Sequence, residues 1–311
     1  MTKYKFLSKK KIWIAGHNGM VGSALHKKLR KLNLNLLTAS KSILDLRNQS
    51  DVDNWIKKKK PNIIFLAAAK VGGILENNNY PADFIIDNLK IQTNVISSAF
   101  RHNVKKILFL GSACIYPVSD KPIKETELLT GKLESTNQAY SVAKIAGIEM
   151  CRSLAKQHNV EYISVQPNNL YGPNDNFSIN SSHVIPALIK KISIAKEKNQ
   201  EFCEIWGSGK PKREFLYVDD LAEALILISE KYKNIEPINV GSGFEISISS
   251  LANKIKKIIG FKGRLFFNSK YPDGVKRKFL DSSKIKKLGW MPKTSFDDGL
   301  KKTIEWFEKN Q

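Results

Sequence analysis

A short apolar run, Lys11–Ala15, leads directly into Gly16-His17-Asn18-Gly19-Met20-Val21-Gly22 and then into an amphipathic stretch near Met20–Lys31. Glycines at this spacing allow a tight turn and a close backbone approach, so that a pyrophosphate can sit on the N–H groups that a helix start leaves free. The spacing is GxxGxxG, not the GxGxxG of the standard fingerprint. The strand–loop–helix context therefore carries the reading of Gly16, Asn18, Gly19, Met20, Val21 and Gly22 as a dinucleotide site, with a purely structural glycine turn as the alternative.

The same alternation continues through the first half of the chain. Strand-length apolar runs at Lys11–Ala15, Leu34–Thr38, Asn62–Ala67, Lys106–Leu110 and Glu161–Gln166 are separated by helical patterns near Met20–Lys31, Ser50–Lys59, Pro81–His102 and Gln138–His158. Repeated βαβ units predict an α/β fold, a Rossmann-type doubly wound parallel sheet that binds ligands at the carboxyl ends of its strands. Beyond Tyr171, Gly/Pro/Asn-rich stretches at 172–180 and 207–212 separate shorter elements, whereas Val218–Lys231 and Pro237–Val240 again read as helix and strand. We expect a dinucleotide-binding domain over residues 1–170 with 214–241 returning to it, and a smaller, interleaved α/β substrate-binding lobe over 171–213 and 242–311. A hydrophobic content of 42% suffices for a full core.

The formal charge of +22 raises the question of nucleic acid. The excess comes from lysines scattered over exposed helix positions, with no arginine stripe, zinc-finger spacing or aromatic RNA-binding signature, so nucleic acid is not expected as a partner. The positive field suits anionic small substrates. Cys114, Cys151 and Cys203 are too few and too scattered for a disulfide framework or a CxxC metal site, and no metal is expected. The charged start has only a short apolar run, which is unlike a signal peptide, and no apolar segment approaches the ~20 residues of a membrane span. These features predict a cytoplasmic protein without membrane contact.

Cofactor choice turns on the end of the second strand, Leu37-Thr38-Ala39-Ser40-Lys41-Ser42. An acid there would bind ribose hydroxyls and a base would suit a 2′-phosphate. With no acid present and Lys41 at hand, NADP(H) is favoured over NAD; a solvated loop lysine is the alternative. Tyr140-Ser141-Val142-Ala143-Lys144 puts a phenol and an ammonium on one helical face. A nearby cation is expected to lower the phenol pKa toward the working pH, where it can exchange a proton with a substrate oxygen. YxxxK alone is unspecific, but Gly111-Ser112-Ala113-Cys114-Ile115-Tyr116-Pro117 follows the fourth strand and would bring the Ser112 hydroxyl to the same cleft. Cys114 taken alone reads as a small inert hydrophobe.

Together, the Gly16–Gly22 loop, Ser112, Tyr140 and Lys144 resemble the extended short-chain dehydrogenase/reductase family, whose members act on nucleotide sugars. More specific strings, Leu66-Ala67-Ala68-Ala69-Lys70-Val71-Gly72-Gly73-Ile74, Asn169-Leu170-Tyr171-Gly172-Pro173, Ser182-His183-Val184-Ile185-Pro186 and Arg213-Glu214-Phe215-Leu216-Tyr217-Val218-Asp219-Asp220, are similar to its epimerase-reductases of GDP-4-keto-6-deoxymannose. The likeness runs from about Lys11 to near the C-terminus.

The resemblance implies one site that epimerises C3 and C5 beside a 4-keto group and then reduces C4. It implies Tyr140 as donor to the carbonyl oxygen, Lys144 on the nicotinamide ribose, Ser112 as a further hydrogen bond, and Cys114 with His183 as the proton-exchanging pair. A thiol near ~8.5 and an imidazole near ~6.5 can each exchange protons close to neutrality, which supports that pairing. It further implies Ala67, Ala68, Pro167, Asn169, Leu170 and His183 along the cofactor, and Lys191, Trp206, Arg213 and Asp273 on the nucleotide sugar. It also implies a homodimer in which helices near Pro81–His102 and Gln138–His158 pair. Asn18 departs from the pattern, which often carries an arginine that holds the 2′-phosphate; Lys41 stands where arginine or histidine is common, and Lys191 where arginine is common. A 4,6-dehydratase or 4-epimerase is the nearest rival; the former type carries acids where this chain has Ala113 and Cys114. A non-catalytic NADP-binding protein would be expected to lose part of the proton-transfer set, all of which is present.

Overall fold

The computed structural model describes residues 5–179, 181–271 and 273–310; the first residues of the charged start, 1–4, lie outside them. Five βαβ-type passes build the main sheet from β1 (Lys11–Ala15), β2 (Asn35–Leu37), β3 (Ile63–Leu66), β4 (Lys106–Leu110), β5 (Glu161–Pro167) and, much later, β9 (Ile238–Val240). Every pair in it is parallel, in the order β2-β1-β3-β4-β5-β9. The chain leaves β1 for β2 on one side and returns to β3 on the other, which opens a crevice beyond the carboxyl ends of β1 and β3 where ligands bind in such sheets.

Helices cover both faces because the strands are apolar on both: β3 is buried at all its positions and Trp13 and Phe65 are fully enclosed. On one face α1 (Met20–Arg30) packs beside α7 (Val218–Lys231). On the other lie α2 (Gln49–Lys59), the short α3 (Ile74–Asn79), α4 (Pro81–Arg101) and α5 (Gln138–His158), with α4 and α5 packed along each other. Helix ends follow local chemistry. Asn48 caps α2 by accepting from the Ser50 and Asp51 amides, Pro81 opens α4, and Asn159 closes α5 in the left-handed region at φ 54°.

A second lobe has its own core around Tyr171, Ile189, Leu251 and Ile304. It contains β6 (Asn169–Tyr171), α6 (Val184–Glu197), β7 (Phe202–Trp206), β8 (Lys212–Tyr217), β10 (Glu245–Ser247), α8 (Ile248–Ile259), β11 (Arg264–Asn268), β12 (Arg277–Lys278) and α10 (Phe296–Lys309), whereas α9 (Ser283–Lys287) packs against β9 of the main sheet. β8 pairs with β6, β10 and β12, and β11 pairs with β7. Within the returning stretch, β8 runs to Tyr217 in the second sheet and α7 starts at Val218 beside α1 on the main one. Among the described residues no helix is long and apolar enough to cross a membrane.

Candidate active site

The glycine loop is compact because it has to be. Gly16 has φ +92° and a Cβ there would lie 2.7 Å from the Ala68 amide; a Cβ on Gly22 would lie 2.0 Å from the Gly16 carbonyl oxygen. The loop therefore seats the start of α1 against the Ala67–Ala68 segment, whose Ala67 amide extends the β1–β3 ladder by donating to Ala15 at 2.9 Å. Gly19, the residue before α1, offers no side-chain cap, so the first-turn N–H groups are left uncapped by a side chain, as a bound pyrophosphate would require. Met20 and Val21 open that turn. Lys41 is exposed in the turn after β2, with Asp45 as its charged neighbour. On the far side, Pro167 ends β5, and Asn169 donates its side-chain amide to the Glu214 carbonyl at 2.9 Å, which fixes the strand that carries Leu170.

Three elements converge at the end of β4. Ser112 lies just beyond it, held through its amide by Gln166 Oε1 at 3.0 Å, while its hydroxyl accepts from the Cys114 amide at 3.2 Å and so tightens the turn Ala113–Ile115. Ser141 of α5 donates to the Cys114 carbonyl at 2.9 Å and docks the helix on that turn. Tyr140 lies beside Ser112, and Lys144, one turn on, donates to the Leu110 carbonyl at 2.8 Å with its Nζ 5.8 Å from the Tyr140 ring centre.

The expected lowering of the phenol pKa does not occur here. Burial, and then the neighbouring Cys114, push the Tyr140 hydroxyl above its ordinary value, with Ser112 opposing. The physical reason is that Lys144 is itself only 3% exposed and is turned to a backbone carbonyl; burial lowers its ammonium to about 7. A phenol that keeps its proton at neutral pH is the form a donor to a carbonyl oxygen requires.

Cys114 carries a set of partners that its sequence neighbours do not announce. Lys278 of β12 donates to its sulfur at 3.5 Å and Asn137, just before α5, at 3.6 Å. A negative charge on this sulfur would be met by an ammonium and an amide. Lys278 also neighbours His183, whose imidazole is lowered below its ordinary value, first by its depth in the protein and then by that ammonium. His183 directly precedes α6 and makes no side-chain cap, so its ring is not engaged by the helix start. Thiol and imidazole thus share one cation between them.

The residues expected on the nucleotide sugar also come together. Lys191 of α6 sits 3.7 Å above the Trp206 ring, and Tyr271 stacks on Trp206 at 4.6 Å with 18° between planes. Asp273 binds the Ser208 amide at 2.9 Å and hydroxyl at 2.6 Å. Arg213 has Cys114, Glu134 and Asp273 as charged or ionisable neighbours, in that order of influence, and burial outweighs all of them in lowering it. Lys191, Trp206 and Tyr271 thus form one stack, and Arg213 lies within electrostatic reach of both Asp273 and Cys114. Lys278, Asn137, Gln166 and Tyr271 were not singled out from the sequence, since no local spacing marks them.

The chain matches the model of the NAD dependent epimerase/dehydratase family over residues 12–241. It is 51% identical over 302 residues to GDP-L-fucose synthase 1 of Arabidopsis thaliana, covering 96% of this chain and 94% of that one. To the GDP-L-fucose synthase of Sinorhizobium fredii it is 49% identical, covering 98% and 97%. A crystal structure of a GDP-L-fucose synthetase from Naegleria fowleri bound to NADP superposes with a TM-score of 0.89 at 30% identity, covering 97% and 94%. Near-full-length identity of that order, on the same fold and with the family model in agreement, places the chain in the NAD dependent epimerase/dehydratase family, among its GDP-L-fucose synthases.

Proposed function

We propose that the chain is an NADPH-dependent enzyme that epimerises GDP-4-keto-6-deoxy-D-mannose at C3 and C5 and reduces it at C4 to GDP-L-fucose. The observation that carries this reading is the juxtaposition of a thiol and an imidazole around Lys278 beside the Ser112–Tyr140–Lys144 set, in which Lys144 is buried. The 4-keto group acidifies the hydrogens on both neighbouring carbons, so one carbonyl serves all three steps. Cys114, held as a thiolate by Lys278 and Asn137, takes the proton and becomes the neutral thiol while the charge passes to the enolate oxygen; His183 delivers a proton to the carbon from the other side. Tyr140 and Ser112 hold the enolate oxygen throughout, and Tyr140 gives its proton to that oxygen at the reduction. Bound NADPH supplies the hydride. Lys144 orients the nicotinamide ribose, the loop at 16–22 holds the pyrophosphate, and Ala67, Ala68, Pro167, Asn169 and Leu170 line the cofactor. Trp206, Lys191, Arg213 and Asp273 hold the nucleotide.

On this reading the second lobe, 171–213 with 242–311, is the substrate lobe. A homodimer through α4 and α5 is supported by Ile86 and Val142, which expose large apolar side chains on those helices. A reducing, cytoplasmic setting is supported by three free cysteines. The test is direct: purified protein given the 4-keto sugar should oxidise NADPH and yield the L-fuco product by NMR. Either no NADPH consumption or a product that keeps the D-manno configuration at C3 and C5 would overturn the proposal.

A further inference from the structure

The span from Lys70 to Leu75 exposes three large apolar side chains, Val71, Ile74 and Leu75, that neither the core nor the proton-transfer set uses. Its place is fixed from four sides. Gly72 lies against the Phe84 ring, and Phe84 meets Tyr140 edge-on at 6.3 Å. The Gly73 amide donates to the Ser181 carbonyl at 2.8 Å, and a Cβ on Gly73 would lie 2.4 Å from the carbonyl oxygen of Ser182, the residue before His183. Helix α3 packs on the turn Ser135–Asn137, whose Asn137 donates to the Cys114 sulfur. A Cβ on Gly274 would lie 3.2 Å from Ile74 Cδ1 and 2.9 Å from Arg213 Nη2.

This short span therefore crosses from the main domain to the second lobe, bordered by the segment before His183 on one side and by the Cys114 partner Asn137 on another. Arg213, which Ile74 approaches beside Gly274, has Cys114 as its first-ranked ionisable neighbour. Val71 and Ile74 thus put apolar surface at the edge of a cleft otherwise built of cations, amides and hydroxyls. A 4-keto-6-deoxyhexose has one apolar substituent to match it, the C6 methyl; every other ring carbon carries oxygen. C5, which bears that methyl, is joined through the ring oxygen to C1, which bears the diphosphate, so the two groups leave the ring on one edge.

We propose that Ile74, with Val71 beside it in the chain, forms the wall that receives C6 of the sugar and selects a 6-deoxy substrate over one with a hydroxyl there. A sugar whose nucleotide end is held at Arg213 brings its methyl to the side where Ile74 stands. A hydroxyl on C6 would give up water at that wall and meet no hydrogen-bonding group from either side chain. Inversion at C5 also swings the methyl across the ring plane, and two apolar side chains along one span can accompany that swing. The proposal rests on the epimerase-reductase reading given above and adds its sugar-specificity determinant.

The test compares GDP-L-fucose, GDP-L-galactose, which differs from it only by a hydroxyl on C6, and GDP alone by titration calorimetry on the full-length protein, on Ile74→Ser and on Ile74→Val. The wild type should bind GDP-L-fucose about 10- to 100-fold more tightly than GDP-L-galactose, the range in which an apolar wall rejects an added hydroxyl. Ile74→Ser should cut that ratio by about fivefold or more, Ile74→Val should keep most of it, and GDP should bind all three proteins alike. Equal binding of the two GDP-sugars by the wild type, or an undiminished ratio in Ile74→Ser, would overturn the proposal. Deuterium uptake from D₂O adds a comparison within one molecule: Ile74→Ser should slow exchange at C5, which carries the methyl, by about threefold or more relative to exchange at C3. Equal slowing at both carbons would count against the wall. A wild-type protein that consumes no NADPH with the 4-keto sugar contradicts the enzymatic reading and the wall with it, whereas turnover with an unchanged sugar ratio removes the wall alone.

Discussion

Lys278 reaches from the second lobe to donate a hydrogen bond to the Cys114 sulfur at 3.5 Å, although 164 positions separate the two in sequence. The contact exists because β12 pairs with β8 next to Arg213, which brings the second sheet against the turn beyond β4. Lys278→Met should slow proton exchange at C3 and C5 by about 10- to 100-fold, the worth of one charge-assisted hydrogen bond, and leave NADPH affinity unchanged. Deuterium uptake by NMR reads the first and calorimetry the second. Unchanged exchange would remove Lys278 from the proton-transfer set.

Tyr140→Phe removes a proton donor and almost no volume. Reduction should fall by roughly 10²–10⁴, typical of a lost general acid, with cofactor binding retained. Single-turnover oxidation of NADPH is the suitable measurement, and near-normal rates in a folded variant would contradict the assignment.

Lys144 makes a prediction about stability. Its ammonium sits at about 7 in the folded chain against 10.5 when exposed. Between those values the unfolded chain binds a proton that the folded chain does not, so the group makes stability rise with pH through that window. Below about 7 both states hold the proton, and the folded state bears the full cost of burying the charge. Lys144→Met should therefore flatten the rise between about pH 7 and pH 9, a difference on the order of 1 kcal/mol or more in urea unfolding. An identical pH slope in both proteins would refute the burial argument.

Trp206 provides the stacking face beneath Lys191 and beside Tyr271. Trp206→Ala should raise the KM for the nucleotide sugar by roughly 3- to 10-fold, in line with one aromatic pairing, and change kcat less. A loss confined to kcat would place Trp206 outside the nucleotide platform.

Much of the frame was legible because its signals are local. Lys11–Ala15, Lys106–Leu110, Gln138–His158 and Val218–Lys231 stand at the expected bounds, since strand-length apolar runs, a proline or glycine boundary and helical periodicity each act over a few residues. Spacing likewise put Tyr140 and Lys144 on one face. It could not give the direction of their pKa shifts, because burial, which dominates both, depends on how α5 packs against β4. Glu214 shows the same limit. Its buried carboxylate accepts from the Gly243 amide at 2.7 Å, the Leu280 amide at 3.0 Å and the Asn168 side chain, and so locks β12 and the Asn169 segment to β8. Nothing in Arg213-Glu214-Phe215 announces three donors drawn from such distant segments.

The central claim is that Cys114 is the base of an epimerase within a reductase fold. Proton abstraction beside the ketone needs no hydride, so it can be observed in D₂O with the 4-keto sugar and no reduced cofactor. The wild-type protein should incorporate deuterium at C3 and C5. Cys114→Ala should abolish or severely slow both exchanges, because a methyl group cannot take the proton, while His183→Asn should impair delivery from the other side. Exchange at both carbons at the wild-type rate in Cys114→Ala would contradict the account and reduce Cys114 to a packed thiol.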